Sequence, residues 1–199
     1  MVPEEQVRRR EPDAKRAALL DAAITTFSEK GYGATSMASI AKQAGVAVGT
    51  IYRFYPDKLA LLSALHDGIE REIITHMRAS WAEGGDYADR LHRMVQHLFD
   101  YFDAHRVVLS ILSMTTDIGG AEGTLPADGI RETIADFLKE GIETSSYTPE
   151  EPETLASLVH GTVEGVMRQF LIGRIPKERA VGAVQLYLSR AVVTGKRDQ

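Results

Sequence analysis

Between Gly31 and Lys58 the chain reads GYGATSMASIAKQAGVAVGTIYRFYPDK, and this stretch admits little besides two short helices joined by a tight turn. Ser36 is placed as an N-cap, its hydroxyl free to take an orphan amide, and the spacing predicts a helix over Met37–Ala44. Gly45 follows where the chain must turn sharply and where a positive φ is tolerated. A second helix is predicted from Val48 to a point before Pro56, because the residue preceding a proline is pushed out of the α region. Ile40, Ala44, Val46, Ile51 and Phe54 or Tyr55 fall where two crossed helices bury them, with small Ala41 at their closest approach. Val48, Gly49, Thr50, Tyr52 and Arg53 are left on the open side. Such a face suits a major groove: small residues permit close approach, hydroxyls bond phosphates, and Arg pairs with guanine O6/N7. The competing reading is a helical hairpin inside an all-α core.

The pattern resembles the TetR family of bacterial transcriptional regulators. The matching residues are Gly31 to Ser36, Ile40-Ala41, Ala44-Gly45-Val46, Gly49-Thr50-Ile51-Tyr52, Phe54, and Lys58 with Leu59. The resemblance is strong over about the first quarter of the chain and continues beyond it only as a helical layout. It implies DNA contacts from Thr35, Ser36, Ala47, Val48, Gly49, Thr50, Tyr52, Arg53 and Lys58. Two departures stand out. Ala47 replaces a Ser frequent in the family, removing an N-cap and a phosphate contact, and Phe54-Tyr55 inverts the more usual Tyr-Phe order.

The net charge of −5 argues at first against nucleic acid, but its distribution does not. Residues 1–60 hold nine Lys/Arg against seven Asp/Glu, or +2, which leaves −7 on residues 61–199. Such asymmetry suggests a DNA-facing N-terminal module on a more acidic body. The chain has no cysteine, hence no disulfide framework or thiolate metal site. No apolar run reaches the ~18 residues of a membrane span, and the N-terminus lacks a signal peptide's apolar core. The expected location is the cytoplasm, with no membrane partner.

In chain order, residues 1–12 are predicted to be a disordered arm, in which Arg8-Arg9-Arg10 either reaches DNA or is a solvated tail. Asp13 caps a helix to about Lys30 with Ala17, Leu20, Ile24 and Phe27 inward, and residues 13–56 form a three-helix helix-turn-helix domain. Asp57 caps a long helix to about Trp81; Lys58, in its first turn, either reaches a phosphate or is solvated. Gly84-Gly85 breaks the chain, and helices follow over 86–104, 107–115, 128–143, 153–172 and 177–194, with loops at Asp117–Pro126 and SSYTPEEPE. The fold expected is all-α with about nine helices, residues 57–199 forming an effector-binding and dimerisation domain.

Six histidines invite a metal or catalytic reading, but none pairs at i,i+4, and no H-E-x-x-H, GxSxG or phosphate-cradling Gly loop occurs. No catalytic residue, cofactor or metal site is expected. The family resemblance places a ligand pocket in the second domain, for which His66, Met77, Trp81, Met94, His97, Tyr101, Met114, Phe137 and His160 are candidates. Aromatic and Met linings suit a largely apolar effector, although core packing explains most of these residues equally. It also implies a homodimer through residues 153–172 and 177–194, where Gly161 and Gly165 permit close helix approach. The function expected is a repressor released from pseudo-palindromic double-stranded operator DNA by a small effector. The alternative is a helical small-molecule-binding or enzymatic protein with a non-functional hairpin.

Overall fold

The structure, a computed structural model, describes residues 4–115, 128–143 and 151–191, with side chains over 13–113, 128–141 and 151–190. The loop expected at Asp117–Pro126, most of SSYTPEEPE, residues 192–194 and the side chains of Arg8–Arg10 and Met114 lie outside the described residues. Among the described residues there are nine helices and no strand, in keeping with the all-α reading. They are α1 (Glu4–Ala34), α2 (Met37–Gln43), α3 (Val48–Phe54), α4 (Lys58–Ala82), α5 (Tyr87–Ala104), α6 (Arg106–Thr115), α7 (Asp128–Glu143), α8 (Pro152–Leu171) and α9 (Lys177–Ala191). None is long and apolar enough to cross a membrane.

The start of α1 corrects the sequence reading. Helix begins at Glu4 rather than Asp13, so residues 4–12 are not an irregular arm. Pro12 reads as a breaker, yet Glu, Gln and Arg before it are strong helix formers. Gly31 (φ 76°, ψ 157°) interrupts the helical path where a terminating glycine is expected. The inward stripe also shifts: Leu19, Ala22, Ala23, Thr26 and Phe27 are buried, while Ala17 is exposed. The small Ala22-Ala23 pair lets the next helix approach, which a search for large apolar residues overlooks.

Two compact units stand out, one drawn from the Met1–Gly68 and Ile111–Leu125 stretches, the other from Ile69–Ser110 and Pro126–Gln199. In the first, α1 packs on α2 and α2 on α3, closing over Ile40, Ala41 and Ile51, all at 0% exposure. In the second, α7 lies along α8 and α5 along α9, around a core that includes fully buried Phe99 and almost fully buried Phe170. Its polar anchor is Trp81, whose indole stacks on Phe137 at 4.4 Å and meets Tyr87 edge-on. The indole N–H donates to Glu140 Oε2 at 2.7 Å, while Arg90 lies over the ring, donates to the Trp81 carbonyl and pairs with Glu140. Hydrogen bonds from Arg90 and then Trp81 hold the Glu140 carboxyl below its ordinary range. This one cluster ties the end of α4 to α5 and α7.

Candidate nucleic-acid interface and apolar cavity

The α2–α3 pair is held by local devices encoded in its sequence. Ser36 and Ser39 form a capping box: Ser36 Oγ accepts from Ser39 N at 3.1 Å, and Ser36 N donates to Ser39 Oγ at 3.2 Å. At the other end Gly45 (φ 69°) supports paired bonds, Gly45 N to Lys42 O and Val46 N to Ala41 O, which satisfy carbonyls the helix leaves open. Ala47, the N-cap residue before α3, makes no side-chain cap, consistent with the missing hydroxyl. The helix ends at Tyr55, buried where Phe54 is only half-buried beneath Arg16.

Val48, Gly49, Tyr52 and Arg53 face outward from this platform and Thr50 is half-buried. Tyr52 leaves 51% of its surface in solvent. Gly49 has an ordinary φ, and a Cβ built on it would meet no atom of the chain within 4 Å. Nothing inside the protein therefore requires glycine there.

Two residues expected at the interface are placed otherwise. Thr35 is only 3% exposed, and its hydroxyl lies 2.8 Å from the Gly31 carbonyl and 3.2 Å from that of Thr26. It locks the turn after α1 rather than facing out. Lys58 directs its ammonium at the carbonyls of Tyr32, Gly33 and Thr35, the nearer two at 2.5 and 2.8 Å, and lies over the Tyr32 ring. Its three donors each have an acceptor in the chain. Half-buried and engaged in this way, it closes the end of α1. Asp57 accepts from Ala60 N at 2.8 Å and caps α4 as the sequence indicates.

The second unit contains a cavity of about 100 Å³. Of the nine pocket candidates, Met77, Met94, Phe137 and His160 line it. Trp81 sits behind Phe137 in the anchor cluster; Tyr101 donates to Glu72 at 2.8 Å, and burial together with that bond pushes its phenol pKa far up. His97 faces Glu83, and neither His97 nor His66 lines the cavity. The wall also uses Ile73, Tyr87, Val163, Glu164 and Met167. Glu164 could have been found in the sequence: it lies one turn after His160 on an otherwise apolar face. Tyr87 depends on tertiary packing, since it fits only because Gly141 opposite has no side chain; a Cβ there would stand 2.5 Å from the ring.

Comparisons agree with this architecture. The family model described as "Bacterial regulatory proteins, tetR family" matches residues 19–65. The HTH-type transcriptional regulator YhgD of Bacillus subtilis (strain 168) is 22% identical over 184 residues, covering 89% of this chain and 96% of its own. The HTH-type transcriptional repressor KstR of Mycolicibacterium smegmatis is 44% identical over 85 residues, but these span only 42% of this chain and 41% of KstR. In structure, the transcriptional regulator FadR from Bacillus subtilis, solved in complex with stearoyl-CoA, superposes with a TM-score of 0.75. It is 20% identical, covering 90% of this chain and 98% of that one.

Proposed function

The chain belongs to the TetR family of bacterial regulatory proteins, and from that premise we propose that it is a dimeric repressor, released from a two-fold operator by a small apolar effector. The single observation that carries the DNA-reading half is the open face of α3. There Val48, Gly49, Tyr52 and Arg53 project from a rigidly capped platform, and Gly49 is small for no reason internal to the chain. A glycine there allows a backbone to approach base edges, beside an arginine able to read guanine. Ser36, Ala47 and Thr50 complete the proposed contact set, with Thr35 and Lys58 acting from behind as positioning residues.

Dimerisation is supported by the outer surfaces of α8 and α9. Leu158 and Leu186 are 58% and 52% exposed, and Gly161, Gly165 and Gly182 are exposed with open space where a side chain would stand. Apolar side chains beside bare glycines suit close approach of helices from a second copy. FadR was solved in complex with stearoyl-CoA, and the cavity in the second unit of this chain supports an effector here. The experiment is a mobility shift with DNA flanking the gene, using scrambled DNA as competitor. Binding that prefers the flanking DNA is expected; no preference at low salt would overturn the reading and favour a helical binding protein with a non-functional hairpin.

A further inference from the structure

The chemistry of the cavity narrows the effector further. Among its described lining side chains only Tyr87, His160 and Glu164 carry nitrogen or oxygen atoms. Tyr87 donates to the Phe137 carbonyl at 3.2 Å. His160 and Glu164, one turn apart on α8, are the polar end of an otherwise aliphatic, aromatic and thioether wall.

We propose that this cavity takes a one-ring apolar molecule bearing a single neutral hydroxyl, a simple phenol, whose hydroxyl meets His160 and Glu164 while its ring lies among Met77, Met94 and Phe137. The assignment rests on the effector reading above and supplies its ligand class. Burial holds His160 below its ordinary pKa, so at neutral pH the imidazole carries one N–H donor and one bare acceptor nitrogen. No hydrogen bond within the described residues engages either nitrogen. A hydroxyl can accept from the imidazole N–H while donating to the Glu164 carboxylate, or donate to the bare nitrogen, because it both donates and accepts.

The charges around His160 argue against an ionic ligand. Those acting on it are Glu164, Arg131 and Glu70. Glu164 already accepts from Arg168 at 3.3 Å. Glu70 accepts from the first amides of α7, Gly129 N at 3.0 Å and Ile130 N at 3.3 Å. Arg131 is paired with Asp128 and Arg168 with Glu164, so a carboxylate ligand would meet Glu164 and lose its hydration without gaining an unpaired cation. An ammonium would have to displace Arg168. A neutral head group incurs neither cost. The volume limits the rest: at about 100 Å³ the cavity is smaller than the ~150 Å³ site that holds benzene in an engineered protein. It seats a single ring as Met77, Met94 and Met167 yield, which unbranched thioether side chains do readily.

The test uses four probes of one skeleton: 4-methylphenol, toluene, 4-methylbenzoate and 4-methylbenzylamine. Each is titrated calorimetrically into the full-length protein at neutral pH. Trp81, the single tryptophan, is stacked on the cavity residue Phe137, so its emission reports occupancy. The phenol is expected to bind about tenfold more tightly than toluene, as one or two added hydrogen bonds imply, and tighter than either ion. His160→Leu should bring the phenol to within about twofold of toluene without weakening toluene, and His160→Gln should restore part of the preference. Met94→Trp, read by calorimetry alone because it adds a second indole, should abolish binding of all four; Val163→Phe serves if that variant does not fold. Toluene equal to the phenol, either ion binding tightest, or no binding to folded protein would each overturn the assignment. The mobility shift separates the two readings, since a wrong ligand class leaves operator preference intact. Loss of operator preference with phenol binding retained would sink the regulator reading alone.

Discussion

Lys58 occupies a position its own helix disfavours, a cation in the first turn of α4. The compensation comes from α1, whose terminal carbonyls it gathers, so the same charge sits favourably at a helix C-terminus. Lys58→Met should therefore lower stability, by about 1.5–3 kcal/mol for lost bonds to a charged group, measured by urea unfolding. If Lys58 instead served a phosphate, stability would hold and the salt slope of DNA binding would fall by ~0.9. Arg53 is exposed and makes the opposite kind of prediction. Arg53→Ala should reduce discrimination between operator and scrambled DNA by about 1–3 kcal/mol; an equal loss on both would mark a phosphate contact only. His160 adds a pH dependence. Its folded-state pKa lies below the ordinary 6.5, chiefly through burial, with Arg131 acting the same way and Glu164 and Glu70 opposing. The unfolded chain thus binds this proton more readily, and stability falls as pH drops below about 6.5 and through the folded value. His160→Leu should flatten that acid-side fall in Tm relative to wild type; an unchanged profile would show that other groups produce it.

At the scale of the element, α7 meets Tyr87 of α5 through a missing side chain. Gly141 lets the Tyr87 ring lie against the helix and reach the Phe137 carbonyl, which sets one wall of the cavity. Gly141→Ala would drive a methyl into the ring at 2.5 Å. Overpacking of this kind costs about 1–3 kcal/mol, partly offset by alanine's better helix propensity. The variant should lose thermal stability and change Trp81 emission, because Tyr87 touches the indole edge. An unaltered emission spectrum would mean that the ring moves elsewhere without disturbing the anchor. The double tie of α4 within the second unit, through Glu70 to the start of α7 and through Trp81 to Glu140, brackets the cavity residues Ile73 and Met77. A ligand pressing on those two residues acts on a helix held at both sides of the contact.

For the whole molecule, the proposed dimer makes the outer faces of α8 and α9 the decisive surface. In a two-fold interface each substitution counts twice. Leu158→Asp together with Leu186→Asp removes two apolar side chains per copy, each worth about 1.5–3 kcal/mol when buried. The variant should be monomeric by light scattering while keeping its helical circular dichroism, and should lose operator binding. A dimer that survives would place the interface elsewhere. With two copies, the α3 helices should occupy successive major grooves ~34–36 Å or a multiple apart, so a footprint on the operator should be two-fold symmetric.

The sequence alone determined the local architecture wherever signals between near neighbours suffice. Ser36 capping α2, Gly45 turning the chain, Asp57 starting α4 and Gly84-Gly85 breaking it all act over a few residues. The outward set on α3 followed from the same periodicity once Ile51 was taken as core. What the tertiary structure decided is where long or polar side chains end. A flexible lysine reads identically whether it faces solvent, a phosphate or three carbonyls twenty-odd residues away, and only the fold brings Tyr32, Gly33 and Thr35 to Lys58. Thr35 was hidden for the same reason, its partner carbonyl on Thr26 lying a helix turn beyond the break at Gly31. The cavity was the least legible feature, because its walls come from helices far apart in the chain. Whether Met77 or Tyr101 lines it depends on helix rotation and on the space opposite, and Gly141 supplies that space for Tyr87.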